Sequence, residues 1–181
     1  MALAAFAVAV GTLQWLIWNP KQEVPGSVDA IFVLAYGPDR VALGRELAAQ
    51  GVSENLVLSR SKWLREAISG KGTARLPAGE WFEKCDKQYD DYRTFCIDPT
   101  PNSTGGEVVG FTELARRQGW DSVLIVTERS HLRRAEIDMK RCFGRQVYGA
   151  ASAGSPRPIA KVWRSIYEIF AYAKDLAFPA C

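Results

Sequence analysis

Asp121 to Cys142 reads D-S-V-L-I-V-T-E-R-S-H-L-R-R-A-E-I-D-M-K-R-C, and its two halves have different periods. Ser122 to Thr127 carries Val, Leu, Ile and Val in succession, the pattern of a strand buried on both faces. The run breaks at Glu128-Arg129-Ser130, and Leu132, Ala135, Ile137 and Met139 then recur among charges as on a helix. Ser130 is the expected N-cap. That puts His131, the one histidine of the chain, at the first helical position, with Arg133 and Arg134 in the first turn. Cations there oppose the helix dipole, so an imidazole and two guanidiniums together point to an anion, most simply a phosphate, among them. The competing picture is a surface turn whose arginines pair with Glu128 or Glu136.

The same alternation of strand and helix runs along the chain in both directions. Val28 to Ala35 is an apolar run, followed by the turn Tyr36-Gly37-Pro38-Asp39 and a helix from Asp39 to Gln50 that stops at Gly51. Leu56 to Ser59, Tyr92 to Ile97 and Gln146 to Ala150 read as further strands. Helices are expected from Ser61 to Ile68 and from Thr104 to Gln118. Between them Ser69 to Asp91 has no sustained period and reads as a long surface excursion. Beyond Arg157, residues Ile159, Val162, Trp163, Ile166, Ile169, Phe170, Ala173 and Leu176 recur at helical spacing, so a last helix is expected to pack its apolar side on the sheet. Alternating elements imply an α/β fold, a Rossmann-like three-layer sandwich whose mostly parallel five-stranded sheet has helices on both faces. Ligands of such sheets bind outside the carboxyl ends of the strands, near the topological switch point.

A chain of 181 residues with 48% hydrophobic and 24% charged content suits one globular domain with an appendage. Met1 to Trp18 holds no charge and one amide, Gln14, and reaches the lower edge of a membrane span. Trp15 and Trp18 fit an interfacial belt ahead of Asn19-Pro20-Lys21. The expected organisation is an N-terminal transmembrane or signal-anchor helix over 1–19, a linker over 20–27 and the domain over 28–181. A cleaved signal peptide competes with a retained anchor, although no basic n-region or A-x-A site precedes the tryptophans. Cys85, Cys96, Cys142 and Cys181 form no C-x-x-C motif, and with a single histidine a zinc site is not expected. An even count behind an anchor reads as two disulfides in an oxidising compartment, with three connectivities open. A Cys85–Cys96 bridge would staple the excursion, and Cys142–Cys181 would tie the C-terminus to the helix bearing His131. Four buried thiols in a cytosolic protein are the alternative. A net charge of +3 without a basic run interleaved with aromatics gives no nucleic-acid partner, and a monomer is expected.

The strand ends supply the candidate site. The first carries Gly37 and Arg40, where backbone amides and a guanidinium meet an anion, without a full G-x-G-x-x-G. The second offers Ser59 and Arg60. The third, I-D-P-T-P-N-S-T-G-G-E, has Thr104 and Glu107 at capping-box spacing. Gly105 and Gly106 in that first turn cost helix stability, roughly 1 kcal/mol each, and are tolerated where something approaches the backbone closely, such as a phosphate. Asp98, just before, is a base or a turn residue. His131 titrates near neutrality without help and is the natural acid or base, with Glu107 or Asp98 as partner.

These stretches resemble the YdcF/SanA/ElyC-like family of bacterial envelope proteins, in a disulfide-containing, actinobacterial-type form. The likeness runs from about Val28 to the end and rests on V-D-A-I-F-V-L-A-Y-G-P-D-R, on S-T-G-G-E and on V-L-I-V-T-E-R-S-H-L-R-R-A. The family's last motif is roughly V-T-x-x-x-H-x-x-R-A, onto which Thr127, His131 and Arg134 fall; Arg40, Thr104 and Glu107 match its other polar positions. This chain departs from it at Gly106, where other branches carry an acid, and in the short Tyr36-Gly37-Pro38 loop. The resemblance implies a single-pass anchor, a domain on the extracytoplasmic side, and a role in cell-envelope biogenesis. It implies a phosphorylated lipid-carrier or cell-wall precursor as ligand, with binding, hydrolysis or transfer as the activity. His131 and Glu107 would be catalytic; Gly37, Arg40, Ser59, Thr104, Gly105, Thr127 and Arg134 would hold the ligand. No cofactor follows from the residues themselves; the resemblance alone suggests S-adenosylmethionine, in a non-catalytic, nucleotide-like binding module.

Overall fold

Runs of apolar residues with no polar alternation become five parallel strands, each with both faces covered. They are β1 (Ala30–Val33), β2 (Asn55–Ser59), β3 (Arg93–Ile97), β4 (Ser122–Glu128) and β5 (Gln146–Ser152), hydrogen-bonded in the order β3-β2-β1-β4-β5. The structure is a computed structural model describing residues 2–34, 37–60, 62, 85–154 and 157–181. The expected 61–68 helix and most of the 69–91 excursion lie outside those residues. Register is set by fully buried rows, with Ile31 opposite Leu56 on one side and Leu124 on the other.

Helices α1 (Ala2–Trp18), α2 (Pro38–Ala49), α3 (Thr104–Gln118), α4 (Arg129–Phe143) and α5 (Pro158–Ala177) complete the described elements. Phe32 and Ile125 meet Phe111 of α3 and Leu132 and Met139 of α4 in one core. Ile31, Val33, Leu56 and Leu124 meet Val41 and Leu47 of α2 in the other. The result is the expected three-layer α/β sandwich. Gly44 lets α2 settle on the sheet, since a Cβ there would lie 2.7 Å from Val33 Cγ2. At the amino edge, Asp29 Oδ2 accepts from the amides of Asp121 and Ser122 and from the Ser122 hydroxyl, all at 2.8 Å, and joins β1 to the start of β4. Strand order reverses between β1 and β4, which makes the gap beyond their carboxyl ends the switch point.

Two expectations change. No helix among the described residues is long and apolar enough to cross a membrane. Helix α1 has 17 residues, roughly 25 Å at 1.5 Å per residue, against a hydrocarbon core of about 30 Å. It lies instead against α4 and α5, and Trp18 Nε1 donates to Ser165 Oγ at 2.9 Å. The chain after it follows β5, where Glu23 N donates to Gly149 O and Ala151 N to Gln22 Oε1.

The second change concerns α5, which does not lay its apolar side on the sheet. It packs on α4 and α1, its buried residues are Ser165 and Glu168, and Ile159, Val162, Trp163, Ile166, Ile169, Phe170 and Leu176 face outward. The physical reason is ionic: Glu168 and Asp175 are drawn onto Arg134, and the helix turns with them.

Both cysteine pairs are bridged, Cys85–Cys96 with Cα atoms 5.3 Å apart and Cys142–Cys181 with 5.4 Å. Their sequence separations are 11 and 39 residues, so loop entropy ranks them. Cys142→Ser should lower the urea-measured unfolding free energy by about 4 kcal/mol and Cys85→Ser by about 3 kcal/mol, by the loop-length relation. The reverse ranking would contradict the C-terminal bridge as the larger constraint.

Candidate functional site

The residues at the strand ends converge under α5. A cavity of ≈ 380 Å³ is lined by Arg40, Ser103, Thr104, Glu107, Glu128, His131, Arg134, Arg164, Tyr167 and Glu168, with Asn102 at its edge. A wider one of ≈ 960 Å³ opens beside it, with Gly37, Arg40, Glu128 and Arg164 on its wall and Ile159, Trp163 and Tyr167 at its outer side. Arg40 comes from the first turn of α2, Thr104 and Glu107 from that of α3, and His131 and Arg134 from α4.

Local capping differs from expectation at both helix starts, and the difference shapes the site. The N-cap of α3 is Ser103, whose Oγ accepts from Gly106 N at 3.3 Å, so no Thr104–Glu107 capping box forms. Thr104, one residue inside, keeps its hydroxyl for other partners. The N-cap of α4 is Glu128 rather than Ser130, with extended backbone (φ −79°, ψ 155°) as β4 runs directly into the helix. His131 is therefore the third helical residue, and Ser130 Oγ is buried without a partner among the described residues. The glycines of α3 are also explained within the protein. A Cβ on Gly106 would sit 2.0 Å from the Pro101 carbonyl oxygen, and one on Gly105 would sit 2.7 Å from Ala180 Cβ in the disulfide-pinned tail. Chain, not phosphate, makes that close approach.

His131 is buried and held from both sides: Nδ1 lies 3.0 Å from Thr127 Oγ1 and Nε2 lies 3.1 Å from Thr104 Oγ1. Thr104 Oγ1 also accepts from Arg134 Nη1 at 3.1 Å. That cation polarises the hydroxyl and favours the tautomer in which the Nε2 lone pair, not an N–H, faces Thr104. In that tautomer the proton is on Nδ1, which donates to Thr127 Oγ1. Burial first, then the charges of Arg134 and Arg40, hold the imidazole well below its ordinary range, so it is neutral at pH 7.

Arg134 is engaged within the protein. Its Nε donates to Glu168 Oε2 at 2.8 Å and its Nη1 to Asp175 Oδ2 at 3.0 Å, rather than to Glu128 or Glu136, the partners of the competing surface-turn picture. Burial opposes its charge, but the hydrogen bonds and charges of Glu168, then Asp175, outweigh that and hold it above the ordinary arginine range. Glu128 is instead paired with Arg40, Nη2 to Oε2 at 3.5 Å, and with Arg164. Burial, then the neighbouring Arg164 charge, lowers Arg40 against the opposing pull of Glu107 and Asp39. Three arginines and three glutamates thus line the smaller cavity.

Of the sequence-derived set, Arg40, Thr104, Glu107, His131 and Arg134 meet in one cavity, Gly37 lines the adjoining one, and Thr127 supports His131 from beneath. Ser59 is buried at the end of β2 without a partner among the described residues, outside both cavities. Gly105 faces the C-terminal tail. Asp98 forms a two-bond pair with Arg60, at 2.9 and 2.7 Å, also outside both. Glu128, Arg164, Tyr167 and Glu168 were not anticipated. The polar positions of the last helix were the available signal, since Arg164, Ser165 and Glu168 interrupt its apolar period. No group of acidic, histidine or cysteine residues that could hold a metal occurs among the described residues. No family model, curated protein or solved structure matches the chain.

One turn beyond Arg134, buried Asp138 has its pKa raised to about 6, by burial first and then by Asp175, against the pull of Arg134 and Arg141. A carboxyl that binds its proton more tightly in the folded state stabilises that state below its unfolded pKa of 3.8, and the benefit is lost as pH rises through about 6. This group alone makes stability fall between pH 4 and 7, by at most about 3 kcal/mol. Asp138→Asn should flatten that part of the denaturation profile; an unchanged slope would assign the fall elsewhere.

Proposed function

We propose that this chain binds a phosphorylated ligand of lipid-carrier or cell-wall-precursor type at the carboxyl edge of its sheet, as an envelope-associated protein on the extracytoplasmic side of the membrane. The observation that carries this is the convergence of Arg40 and Arg164, from opposite walls, on the single carboxylate of Glu128 at the switch point. Two guanidiniums around one carboxylate are set to receive a phosphate, which brings more charge and more acceptor oxygens than the group it displaces. The amino end of α4 adds its dipole at the same point. Motifs resembling those of the YdcF/SanA/ElyC-like family support the same pocket, the two disulfides support an oxidising compartment, and the apolar α1 supports membrane attachment.

Turnover follows from the same groups. His131 is a weak base because burial and then two cations disfavour imidazolium. A bound phosphate dianion reverses the local charge and strengthens it. Nε2 then takes the proton of the Thr104 hydroxyl, or of a water in its place, as that oxygen attacks phosphorus and the bond from phosphorus to the ester oxygen breaks; the imidazolium returns the proton to the departing alcohol, and a phosphothreonine formed in this way is hydrolysed by water with the same proton transfer. Glu107 orients the nucleophile, and Arg40 and Arg164 stabilise the charge that develops. The balance of three arginines against three glutamates also favours a second class, a ligand carrying both signs, held without turnover as in an S-adenosylmethionine-binding module.

Inorganic phosphate at a hundredfold its Kd should raise the melting temperature by about 5 °C or more, and Arg40→Ala should abolish that shift while Ser59→Ala keeps it. S-adenosylmethionine stabilising the protein where phosphate does not would establish the binding module instead. Because the chain has one histidine, its imidazole NMR signal gives an independent check. Its titration should lie below the ordinary range in the free protein and move up with phosphate bound. If polyprenyl phosphates release phosphate, His131→Ala should remove that activity while leaving the fold intact.

A further inference from the structure

Ser130, Arg133 and Arg134 stand at i, i+3 and i+4 of α4 and so share one face of that helix. The three line a groove of ≈ 230 Å³ between α1, α4 and α5. Its apolar lining is Leu13, Leu16 and Ile17 from α1 and Ile169 and Tyr172 from α5. Arg134 and Glu168 border both this groove and the ≈ 380 Å³ cavity, so their ion pair stands between the two.

Two polar groups on the floor of the groove are unmatched. The charges that line it are two guanidiniums, Arg133 and Arg134, against one carboxylate, Glu168. Glu168 is taken by Arg134, and Asp175, the second partner of Arg134, lies outside the groove beside Arg141. Arg133 forms no ion pair or hydrogen bond among the described residues; its charge reaches Glu136 without a contact. The second group is Ser130, 5% exposed, whose Oγ has no hydrogen-bond partner among the described residues. Buried hydroxyls are seldom left so. The first amides of α4 lie at the same end of the helix, and Glu128, its N-cap, makes no side-chain bond to them.

We propose that this groove is a second ligand site, which takes a medium-chain fatty acid as its carboxylate. One unmatched guanidinium balances one negative charge, and Arg133 with the Ser130 hydroxyl supplies donors to both oxygens of a carboxylate. A phosphate dianion brings one charge more than the groove matches. The apolar lining receives the hydrocarbon. Its length is limited, because ≈ 230 Å³ lies below the roughly 300–1,000 Å³ of sites for drug-sized ligands. The site is separate from the phosphate-binding cavity and does not rest on that reading.

Isothermal titration of the full chain with straight-chain carboxylates, kept below their micelle thresholds, tests this. Affinity should rise about fourfold per methylene from butanoate to octanoate, as each methylene leaves water. Octan-1-ol should bind about tenfold or more weakly than octanoate, and Arg133→Gln should weaken octanoate by a similar factor. Arg133 is exposed, so that variant keeps the fold. Ser130→Ala should weaken octanoate about fivefold, and Arg40→Ala should leave it unchanged. No binding, no gain with hydrocarbon length, or equal affinity in Arg133→Gln would overturn the proposal. So would loss of octanoate binding in Arg40→Ala, which would assign the carboxylate to the phosphate-binding cavity. Octyl phosphate binding more tightly than octanoate would overturn the choice of a carboxylate head.

Discussion

A guanidinium buried between two carboxylates decides which way the last helix faces. Arg134 leaves water almost completely, which is unfavourable unless its charge is matched, and Glu168 and Asp175 match it from 34 and 41 residues away. Removing one member of such a cluster leaves uncompensated charge in the interior, typically a loss of about 3–5 kcal/mol. The ion cluster therefore holds the polar side of α5 inward. The helix consequently roofs the strand ends with Arg164, Tyr167 and Glu168 and leaves Trp163 and Phe170 outside.

The same cation organises the chemistry beneath. By donating to Thr104 it fixes the hydroxyl that faces His131, and its charge adds to burial in keeping the imidazole neutral. Glu128 meanwhile occupies the position between Arg40 and Arg164. The site is thus internally compensated, with three arginines set against three glutamates. The orientation of α5 and the electrostatics around His131 are coupled through the contacts of Arg134.

Much of the architecture was legible in local pattern. Short continuous apolar runs rich in β-branched residues, such as Ser122 to Thr127, suit a doubly covered strand, and their alternation with helices implies a parallel sheet, so the order of layers followed. The Thr104–Gln118 helix appears with the expected bounds, and Arg40, Thr104, Glu107, His131 and Arg134 come together because parallel topology brings all strand ends to one edge. What escaped was long-range. The period of Ile159 to Leu176 shows that α5 has an apolar face but not what that face meets, since the deciding partner, Arg134, lies in another helix. Ser103 and Glu128 cap where Thr104 and Ser130 were expected, because one-residue offsets depend on how the incoming chain bends. Gly105 and Gly106 mark close approach, as glycine pairs do, but sequence does not say whether chain or ligand approaches.

Native-state hydrogen exchange in Arg134→Met tests the role of the ion cluster most directly. A similar-sized apolar side chain there leaves Glu168 and Asp175 without their cation. The amides of α5, residues 158–177, should then lose protection by orders of magnitude while β1 and β4 keep theirs, and Trp163 should become less exposed if the helix reverses its face. Unchanged protection along α5 would contradict the account, and would mean that the C-terminal disulfide and the contacts with α1 hold the helix without Arg134.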